Sequence, residues 1–97
     1  MDKTQKHRIL CEKINKMYHY KNEEYGDSFS ASIQKYGYIA ALTRISDKFN
    51  RAENLILTGD AGTNDETLTD TLLDLANYCV MTAVYMKNGG MRNGKTR

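Results

Sequence analysis

Proline and tryptophan are absent from this sequence, cysteine occurs only twice, and no run of apolar residues approaches the length of a membrane span. A transmembrane helix needs about 20 consecutive, mostly apolar residues, so we expect a protein with no membrane partner. The first residues also lack the apolar segment of a secretory signal, which predicts a cytoplasmic location. The 97 residues contain no long spacer, and two halves of so short a chain would not bury enough surface to fold separately.

A strong excess of one charge is also missing. The chain carries 14 lysines and arginines against 12 aspartates and glutamates, which gives a net charge of +2. Nucleic-acid-binding domains usually have a strongly basic face, so nucleic acid is not expected as a partner, whereas small anions are compatible with this balance. Cys11 and Cys79 lie among apolar residues at helical spacing and form no CxxC pair, which predicts two buried thiols and no cysteine metal site.

Residues that build large cores are scarce, because Leu, Ile, Val and Phe together number 18 of 97. Such a low fraction signals disorder only when the net charge is high, and here it is low. We therefore predict a folded chain with a marginal core that gains buried surface by associating with copies of itself. The expected assembly is a homo-oligomer.

The missing prolines and the spacing of the apolar residues predict an all-α domain. Apolar residues recur at three- and four-residue spacing in three segments, at about residues 4–25, 38–57 and 67–87. A short helical turn is expected between the first two segments. The predicted fold is a small helical bundle of three long helices plus a short helical turn in residues 1–88, followed by a flexible basic tail in residues 89–97.

The apolar positions also predict which helix faces are buried. In the second long helix the predicted buried stripe consists of Ile39, Leu42, Ile45, Phe49, Ala52 and Ile56. The second half of the third long helix is apolar almost all round, so it should be covered by its neighbours or by another subunit, at or near the oligomer interface. Thr67 and Asp70 have the spacing of a capping box, which predicts that this helix begins near Thr67. Residues 58–66 lack the order of a calcium loop or a phosphate loop and are interpreted as a connection.

A polar line runs along the third long helix. Asp70, Asp74 and Asn77 are spaced at i, i+4 and i+7, and a helix turns by about 100° per residue, so the three side chains share one face. Two carboxylates one turn apart repel each other, and oxygen ligands suit Mg²⁺ or Mn²⁺. The line is therefore a candidate metal site. The alternative is that Asp70 caps the helix, Asp74 pairs with a basic side chain and Asn77 meets a neighbouring backbone.

The second long helix carries a basic line at the same spacing, formed by Arg44, Lys48 and Arg51. Like charges one turn apart are unfavourable unless an anion or carboxylates lie opposite. One hypothesis is that this line faces phosphate oxygens or the carboxylates of the polar line. The other hypothesis is a solvated face in which Asp47 pairs with Arg51.

The bend after the first long helix, YKNEEYGDSF at residues 20–29, concentrates charged and aromatic groups. Gly26 is positioned to end the helix there. In one interpretation, Lys21 meets a phosphate and Tyr25 stacks on a base, while Glu24 completes a metal site with the two carboxylates of the polar line. In the other, the bend is an ordinary helix end with solvated charges and a packed tyrosine.

Three blocks of the sequence, in the right order, resemble the first nucleotide modification associated domain, a family found mainly in bacteriophages and prophages. KNEEYGDSF is similar to that family's Lys-Asn-x-Asp-Tyr-Gly-x-Ser signature, with Glu24 where the family usually has Asp. KYGYIAALTRISDKFNR resembles its central helix, and DTLLDLANYCVM resembles its last helix. The resemblance implies a nucleotide-binding protein of phage-type nucleotide metabolism, located in the host cell cytoplasm if phage-encoded.

The candidate site residues come from these three blocks. The candidate ligand-binding residues are Lys21, Asn22, Tyr25, Ser28, Arg44, Lys48, Arg51, Asn77 and Tyr78. The candidate metal ligands, for Mg²⁺, are Glu24, Asp70 and Asp74.

The family is similar in architecture to the MazG-like all-α nucleotide pyrophosphohydrolases, which are oligomers and bind Mg²⁺ through acidic residues on two helices. The MazG pattern uses Glu-x-x-Glu on one helix and Glu-x-x-Asp on another. Here Asp74 is preceded by Thr71 at i−3 and by Asp70 at i−4. This departure weakens the case for hydrolysis more than the case for nucleotide binding.

Two functions are consistent with these residues. In the first, Mg²⁺ held by the candidate metal ligands bridges phosphates and activates a water. The charge of the transition state is neutralised by Lys21, Lys48 and Arg51, and the product is a nucleoside monophosphate. In the second, the same basic and aromatic groups bind a nucleotide without cleaving it, as a phage anti-defence protein would to sequester a cyclic-nucleotide or ADP-ribose-type immune signal. The first function needs two or three carboxylates around one cation, and the second needs a cationic, aromatic pocket.

Overall fold

The computed structural model describes residues 1–59 and 65–89, and this part of the chain forms four helices. They are α1 (Lys3–Tyr25), α2 (Ser28–Tyr36), α3 (Ile39–Leu57) and α4 (Asp65–Lys87). The described residues contain no strand, so the predicted all-α class is confirmed. None of the four helices combines the length and the apolar character needed to cross a membrane. Residues 90–97 of the predicted tail lie outside the described part.

Helix α1 begins with a capping box that the sequence analysis did not predict, and it starts one residue before the predicted start at about residue 4. The Asp2 carboxylate accepts the Gln5 backbone N–H at 2.8 Å, and the Gln5 side-chain oxygen accepts the Asp2 backbone N–H at 2.9 Å. This reciprocal pair satisfies two backbone N–H groups that lack an intrahelical partner at a helix start. Helix α1 therefore starts at Lys3 and continues for 23 residues.

The bend between α1 and α2 depends on two neighbouring residues. Gly26 has φ 68° and ψ −169°, a backbone conformation that is essentially restricted to glycine, and it ends α1. Asp27 then caps α2, because its carboxylate accepts the Ser30 backbone N–H at 3.3 Å. The segment predicted as a short helical turn is a nine-residue helix, and it buries Phe29 and Ile33, which are one turn apart.

The start of α4 differs from the prediction. The helix begins at Asp65, so Thr67 lies within its first turn and is not the capping residue. The Thr71 hydroxyl donates to the Thr67 backbone carbonyl at 2.8 Å, which is a contact within the helix. Glu66 places a carboxylate in this first turn, where the positive end of the helix dipole favours it. The predicted capping box at Thr67 and Asp70 is therefore wrong.

Helices α3 and α4 run antiparallel and form the centre of the fold. Polar side-chain contacts join them in a regular order: Arg44 with Tyr78, Lys48 with Asp74, and Arg51 with Thr71. Residue numbers rise along one helix as they fall along the other, which fixes the antiparallel orientation. Helix α2 packs on α3, and α1 packs on α4.

The buried core is small. Phe29 and Ile33 of α2 meet Ala41 of α3 and Tyr85 of α4 in one cluster, and the Tyr38 ring packs edge-on against Tyr85 with 6.1 Å between ring centroids. Ala52 and Leu73 are also buried. A core of this size agrees with the low aliphatic content of the sequence.

Several predicted buried positions are exposed in the single chain. Both Cys11 and Cys79 are exposed, so the prediction of two buried thiols is wrong. Of the predicted stripe on α3, Ala52 is buried and Ile45 is half-buried, whereas the other four residues are exposed. The four helices of one chain cover only part of the apolar surface that the sequence pattern marks, which is the physical reason for each of these differences.

Candidate functional site

A cavity of about 200 Å³ lies where all four helices meet. It is bounded by the C-terminal part of α1, the bend, the first turn of α2 and the middle of both α3 and α4. Its walls consist of Met17, Tyr18, Lys21, Asn22, Gly26, Asp27, Ser28, Phe29, Arg44, Lys48, Asp74, Asn77, Tyr78 and Met81. The antiparallel pairing of α3 with α4 brings two residues of the basic line beside two residues of the polar line on this wall, Arg44 and Lys48 beside Asp74 and Asn77.

The charged residues of the cavity are mainly cationic. Lys21 comes from α1, and Arg44 and Lys48 come from α3, while Asp27 and Asp74 supply two carboxylates. Three cations against two carboxylates leave a local excess of positive charge. Charge-assisted hydrogen bonds from lysine and arginine to phosphate oxygens are among the stronger polar contacts that proteins make. The cavity therefore has the charge to accept an anionic group.

Lys48 and Asp74 form an ion pair across the α3–α4 contact. Lys48 Nζ lies 3.2 Å from Asp74 Oδ2, and the two side chains are 31% and 34% exposed. Asp74 is therefore paired with a basic side chain of another helix, and the basic line meets the polar line at this position. Because the pair remains open to solvent, its contribution to folding is modest, on the order of 1 kcal/mol.

Arg44 is held against an aromatic wall. Its Nη1 donates to the Tyr78 hydroxyl at 3.4 Å, and its guanidinium carbon lies 5.9 Å from the centroid of the Tyr78 ring. The Tyr78 ring packs in turn on Phe29, with 5.6 Å between ring centroids and a tilt of 43°. Guanidinium groups are attracted to aromatic faces, so Tyr78 positions Arg44 at the cavity while leaving most of its N–H groups for another acceptor.

The bend contributes backbone groups to the same cavity. Ser28 and Phe29 are the first two residues of α2 and both line the cavity. Backbone N–H groups at a helix start have no partner within the helix, and they carry the positive end of the helix dipole. Asp27 uses its carboxylate on the Ser30 N–H, so this cap does not occupy the N–H groups of Ser28 and Phe29.

Most of the predicted ligand-binding residues come together here. Those that line the cavity are Lys21, Asn22, Ser28, Arg44, Lys48, Asn77 and Tyr78. Arg51 is not on the cavity wall, and its Nε donates to the Thr71 hydroxyl at 3.3 Å. The solvated pairing of Arg51 with Asp47 is not observed among the ion pairs of the described residues. The side chain of Tyr25 lies outside the described part.

The predicted metal ligands are not gathered in one place. Asp74 lines the cavity, but Glu24 and Asp70 are exposed and are not among its lining residues. Within residues 1–59 and 65–89, no three His, Cys, Asp or Glu side chains form a group that could hold a metal ion. The carboxylates on the cavity wall are Asp74, which pairs with Lys48, and Asp27, which caps α2. These side chains do not assemble a magnesium site as they stand, so the Mg²⁺ site stays a prediction and no chemical step is assigned to it.

The sequence prediction missed several residues of the cavity wall. Met17 and Tyr18 were not among the predicted site residues, and both line the cavity together with Met81. The available signal was their position one helical turn before Lys21 and Asn22, because residues four apart share a helix face. Tyr18 and Met81 also border a second groove of about 260 Å³ between α1 and α4, so they separate the charged cavity from an apolar one.

The four-helix fold and its cationic, aromatic-walled cavity define a small all-α protein with a site suited to an anion. The chain belongs to the family described as nucleotide modification associated domain 1, whose model matches residues 21–86. This match confirms the family resemblance, and the family description associates the chain with nucleotide modification. All the lining residues of the cavity lie within the matched range except Met17 and Tyr18.

The other comparisons identify no relative. No curated protein and no solved structure matches the chain. The similarity to MazG-like pyrophosphohydrolases therefore stays a prediction.

Proposed function

We propose that the protein binds a nucleotide and that the phosphate of this nucleotide occupies the cavity. The observation that carries the proposal is the convergence of Lys21, Arg44 and Lys48 on one cavity from two different helices. The family description supports a nucleotide as the source of the phosphate. Asn22 and Asn77 add uncharged donors and acceptors to the same wall, and such groups suit the sugar and the edges of a base.

Phosphate binding requires Lys48 to exchange one anion for another. Its present partner is the Asp74 carboxylate at 3.2 Å. A partly exposed ion pair of this kind contributes about 1 kcal/mol or less, whereas a hydrogen bond to a charged group is worth about 1.5–3 kcal/mol. A phosphate that contacts Lys48 and Arg44 together therefore offsets the loss of the ion pair.

The nucleoside part of the ligand extends along Tyr18 towards the groove between α1 and α4. The charged cavity, at about 200 Å³, is below the roughly 300–1,000 Å³ of typical small-molecule pockets. The adjoining groove shares Tyr18, Asn77 and Met81 with it and is otherwise mainly apolar. An aromatic side chain at the boundary suits base stacking, which contributes about 1–3 kcal/mol per base.

Hydrolysis is the second candidate function, and the presence of Asp27 and Asp74 on the cavity wall favours it. Carboxylates beside a bound phosphate are where a divalent cation would be held, and such a cation would supply charge neutralisation and an activated water. Both carboxylates are already engaged, one in an ion pair and one in a helix cap. Binding without cleavage does not require either carboxylate to leave its present partner for a metal ion, so binding is the primary proposal. Sequestration of a nucleotide signal stays the alternative to catalysis.

The experiment is a thermal-shift screen followed by calorimetry. The panel contains nucleoside mono-, di- and triphosphates, cyclic nucleotides and ADP-ribose, each measured with Mg²⁺ and with EDTA, and inorganic phosphate and the free nucleosides serve as controls. A ligand at 100 times its Kd stabilises the native state by about 2.7 kcal/mol, so the melting temperature should rise for at least one nucleotide in both buffers.

The same samples are analysed by chromatography for turnover. Binding that persists in EDTA with no product supports the primary proposal, and product formed only with Mg²⁺ supports hydrolysis. The proposal fails if no member of the panel shifts the melting temperature or binds measurably at millimolar concentration.

A further inference from the structure

An apolar row on α3 is left uncovered in the single chain. Leu42, Phe49 and Ile56 are spaced by seven residues, and they are 57%, 54% and 56% exposed. Residues seven apart lie on nearly the same side of a helix, because two turns take about 7.2 residues. The row therefore forms one continuous exposed strip.

Helix α4 carries a second row with the same period. Leu72, Cys79 and Met86 are also spaced by seven residues, and all three are exposed, Leu72 at 44% and Met86 at 58%. Two exposed apolar rows with the same seven-residue period are unusual, because exposed apolar residues are normally scattered singly over a protein surface.

The intermediate positions complete a heptad pattern on both helices. They are Ile45 and Ala52 on α3, and Leu68, Leu75 and Thr82 on α4. We call these eleven positions, the two rows and their intermediates together, the heptad face. None of the eleven is charged, in a chain of which 27% is charged. Alternating spacings of three and four without charge are typical of helices that pack against other helices in bundles.

The two helices present the heptad face together. Ala41, Leu42 and Ile45 of α3 line one apolar groove with Thr82 and Met86 of α4. On α3, the row of Leu42 lies about 70° to one side of the buried alanines and the basic line lies about 60° to the other. The heptad face is therefore on the side of the α3–α4 pair that is away from the charged cavity.

We propose that a second copy of this chain docks on the heptad face, so that α3 and α4 of two copies form a four-helix bundle. The five large side chains of the two rows are 44–58% exposed, and a large side chain presents on the order of 200 Å² when fully exposed, so together they expose roughly 500 Å². That area is near the upper end of the roughly 300–600 Å² of the largest apolar patch on a monomer, and it supplies the apolar centre of an interface of about 800 Å² per partner. The groove between the two rows has the shape that accepts the side chains of a facing helix.

A second copy fits this face better than an unrelated partner does. The face is built from two antiparallel helices with one shared period, so a two-fold axis brings like surface against like surface. This arrangement says which surfaces meet in the predicted homo-oligomer: both α3 and α4 of each copy lie at the interface. It also leaves the charged cavity open to ligand on the far side.

The test on the unchanged sequence uses light scattering and the two cysteines. At micromolar concentration the mass should be at least twice the chain mass of 11.1 kDa. Cys79 belongs to the heptad face and Cys11 does not, so Cys79 should react with a thiol reagent about tenfold more slowly than Cys11. Cys11→Ser and Cys79→Ser assign the two rates. A monomer, or an oligomer in which Cys79 reacts as fast as Cys11, overturns the proposal.

A matched pair of variants locates the interface on α3. Phe49→Asp places a carboxylate in the heptad face, whereas Asn50→Asp places the same group one residue away on the exposed side of α3. Phe49→Asp should be monomeric with a rapidly reacting Cys79, and Asn50→Asp should keep the parental mass and rates. If Phe49→Asp loses its helical circular dichroism, the thiol-reaction rates of Cys79 and Cys11 in the unchanged chain decide whether the heptad face is an interface. Nucleotide affinity in a folded Phe49→Asp should be unchanged, so this result is independent of whether the proposed function holds.

Discussion

Lys48 Nζ of α3 and Asp74 Oδ2 of α4 lie 3.2 Å apart on the wall of the charged cavity, and each side chain is about one third exposed. The pair connects the two central helices, and it also places a cation and a carboxylate where a nucleotide phosphate would bind. Under the proposed function, an incoming phosphate would compete with Asp74 for Lys48. This competition makes Asp74 the residue whose substitution best separates binding from hydrolysis.

Asp74→Asn should tighten nucleotide binding in EDTA by about two- to tenfold, because the amide no longer competes with phosphate for Lys48. The melting temperature should fall only slightly, since a partly exposed pair contributes about 1 kcal/mol or less. Calorimetry and thermal unfolding measure the two effects. Asp70→Asn is the matched control one turn away, and it should change neither. If the unchanged chain hydrolyses nucleotides with Mg²⁺ and Asp74→Asn does not, Asp74 serves as a metal ligand and the hydrolase function is favoured.

Arg44→Ala should weaken nucleotide binding about 10- to 100-fold, because a charge-assisted contact worth about 1.5–3 kcal/mol is lost. Arg51→Ala is the control on the same helix, since Arg51 contacts Thr71 and is absent from the cavity wall. Its affinity should stay within about threefold of the parental value. The affinity of the unchanged chain should also fall as salt rises, because the ligand is held by charge. Equal losses in the two variants would show that the whole basic line, and not only its cavity end, faces the ligand.

Tyr18→Leu should weaken the binding of nucleotides about 5- to 100-fold while leaving the weak binding of inorganic phosphate unchanged, because base stacking of about 1–3 kcal/mol is lost. Tyr20→Leu removes an exposed tyrosine two residues away that lines none of the cavities described above, so it should bind nucleotides as the parent does. Competition titrations with nucleotide and with phosphate measure the difference. If Tyr18→Leu loses phosphate binding as well, Tyr18 maintains the shape of the cavity and does not stack on a base.

Gly26→Ala should destabilise the chain by about 1–3 kcal/mol, because alanine is strained at φ 68° and ψ −169°. No atom lies within 4 Å of the added methyl group, so the cost comes from the backbone alone. Gly37→Ala is the control: its glycine has φ 83° and ψ −176° and equally open surroundings. Both variants should lose similar stability in denaturant titrations, but only Gly26→Ala should reduce nucleotide affinity at a temperature where both are folded. Parental affinity in Gly26→Ala would mean that the ligand does not depend on the bend.

The helices could be predicted from the sequence because their signals are local. Three signals located the long helices: the apolar spacing, the absence of proline and the glycine at position 26. The predicted bounds, 4–25, 38–57 and 67–87, each lie within two residues of the observed ones. The nine-residue α2 was predicted only as a turn, because Phe29 and Ile33 give too short a pattern to distinguish a helix from a turn. The Asp2 and Gln5 cap was missed, although its residues are adjacent to the helix it starts.

The candidate site could be predicted in its residues but not in its arrangement. Seven of the nine predicted ligand-binding residues line one cavity, because the polar and basic lines follow from helical periodicity alone. Which residue of one line meets which of the other is fixed by the antiparallel register of α3 and α4. That register pairs Lys48 with Asp74 and turns Arg51 to Thr71, and no local pattern encodes it.

By itself the sequence determined the helices and the faces on which charge and apolar residues lie, since both depend on neighbours three to seven residues away along the chain. Only the tertiary structure decided that Tyr18 and Met81 join the cavity, that Cys11 and Cys79 are exposed, and that the Leu42 row remains uncovered. Burial depends on which helices fill the space beside a face. An apolar stripe shows that a face has to be covered, whereas the packing of the whole chain decides whether its own helices cover it.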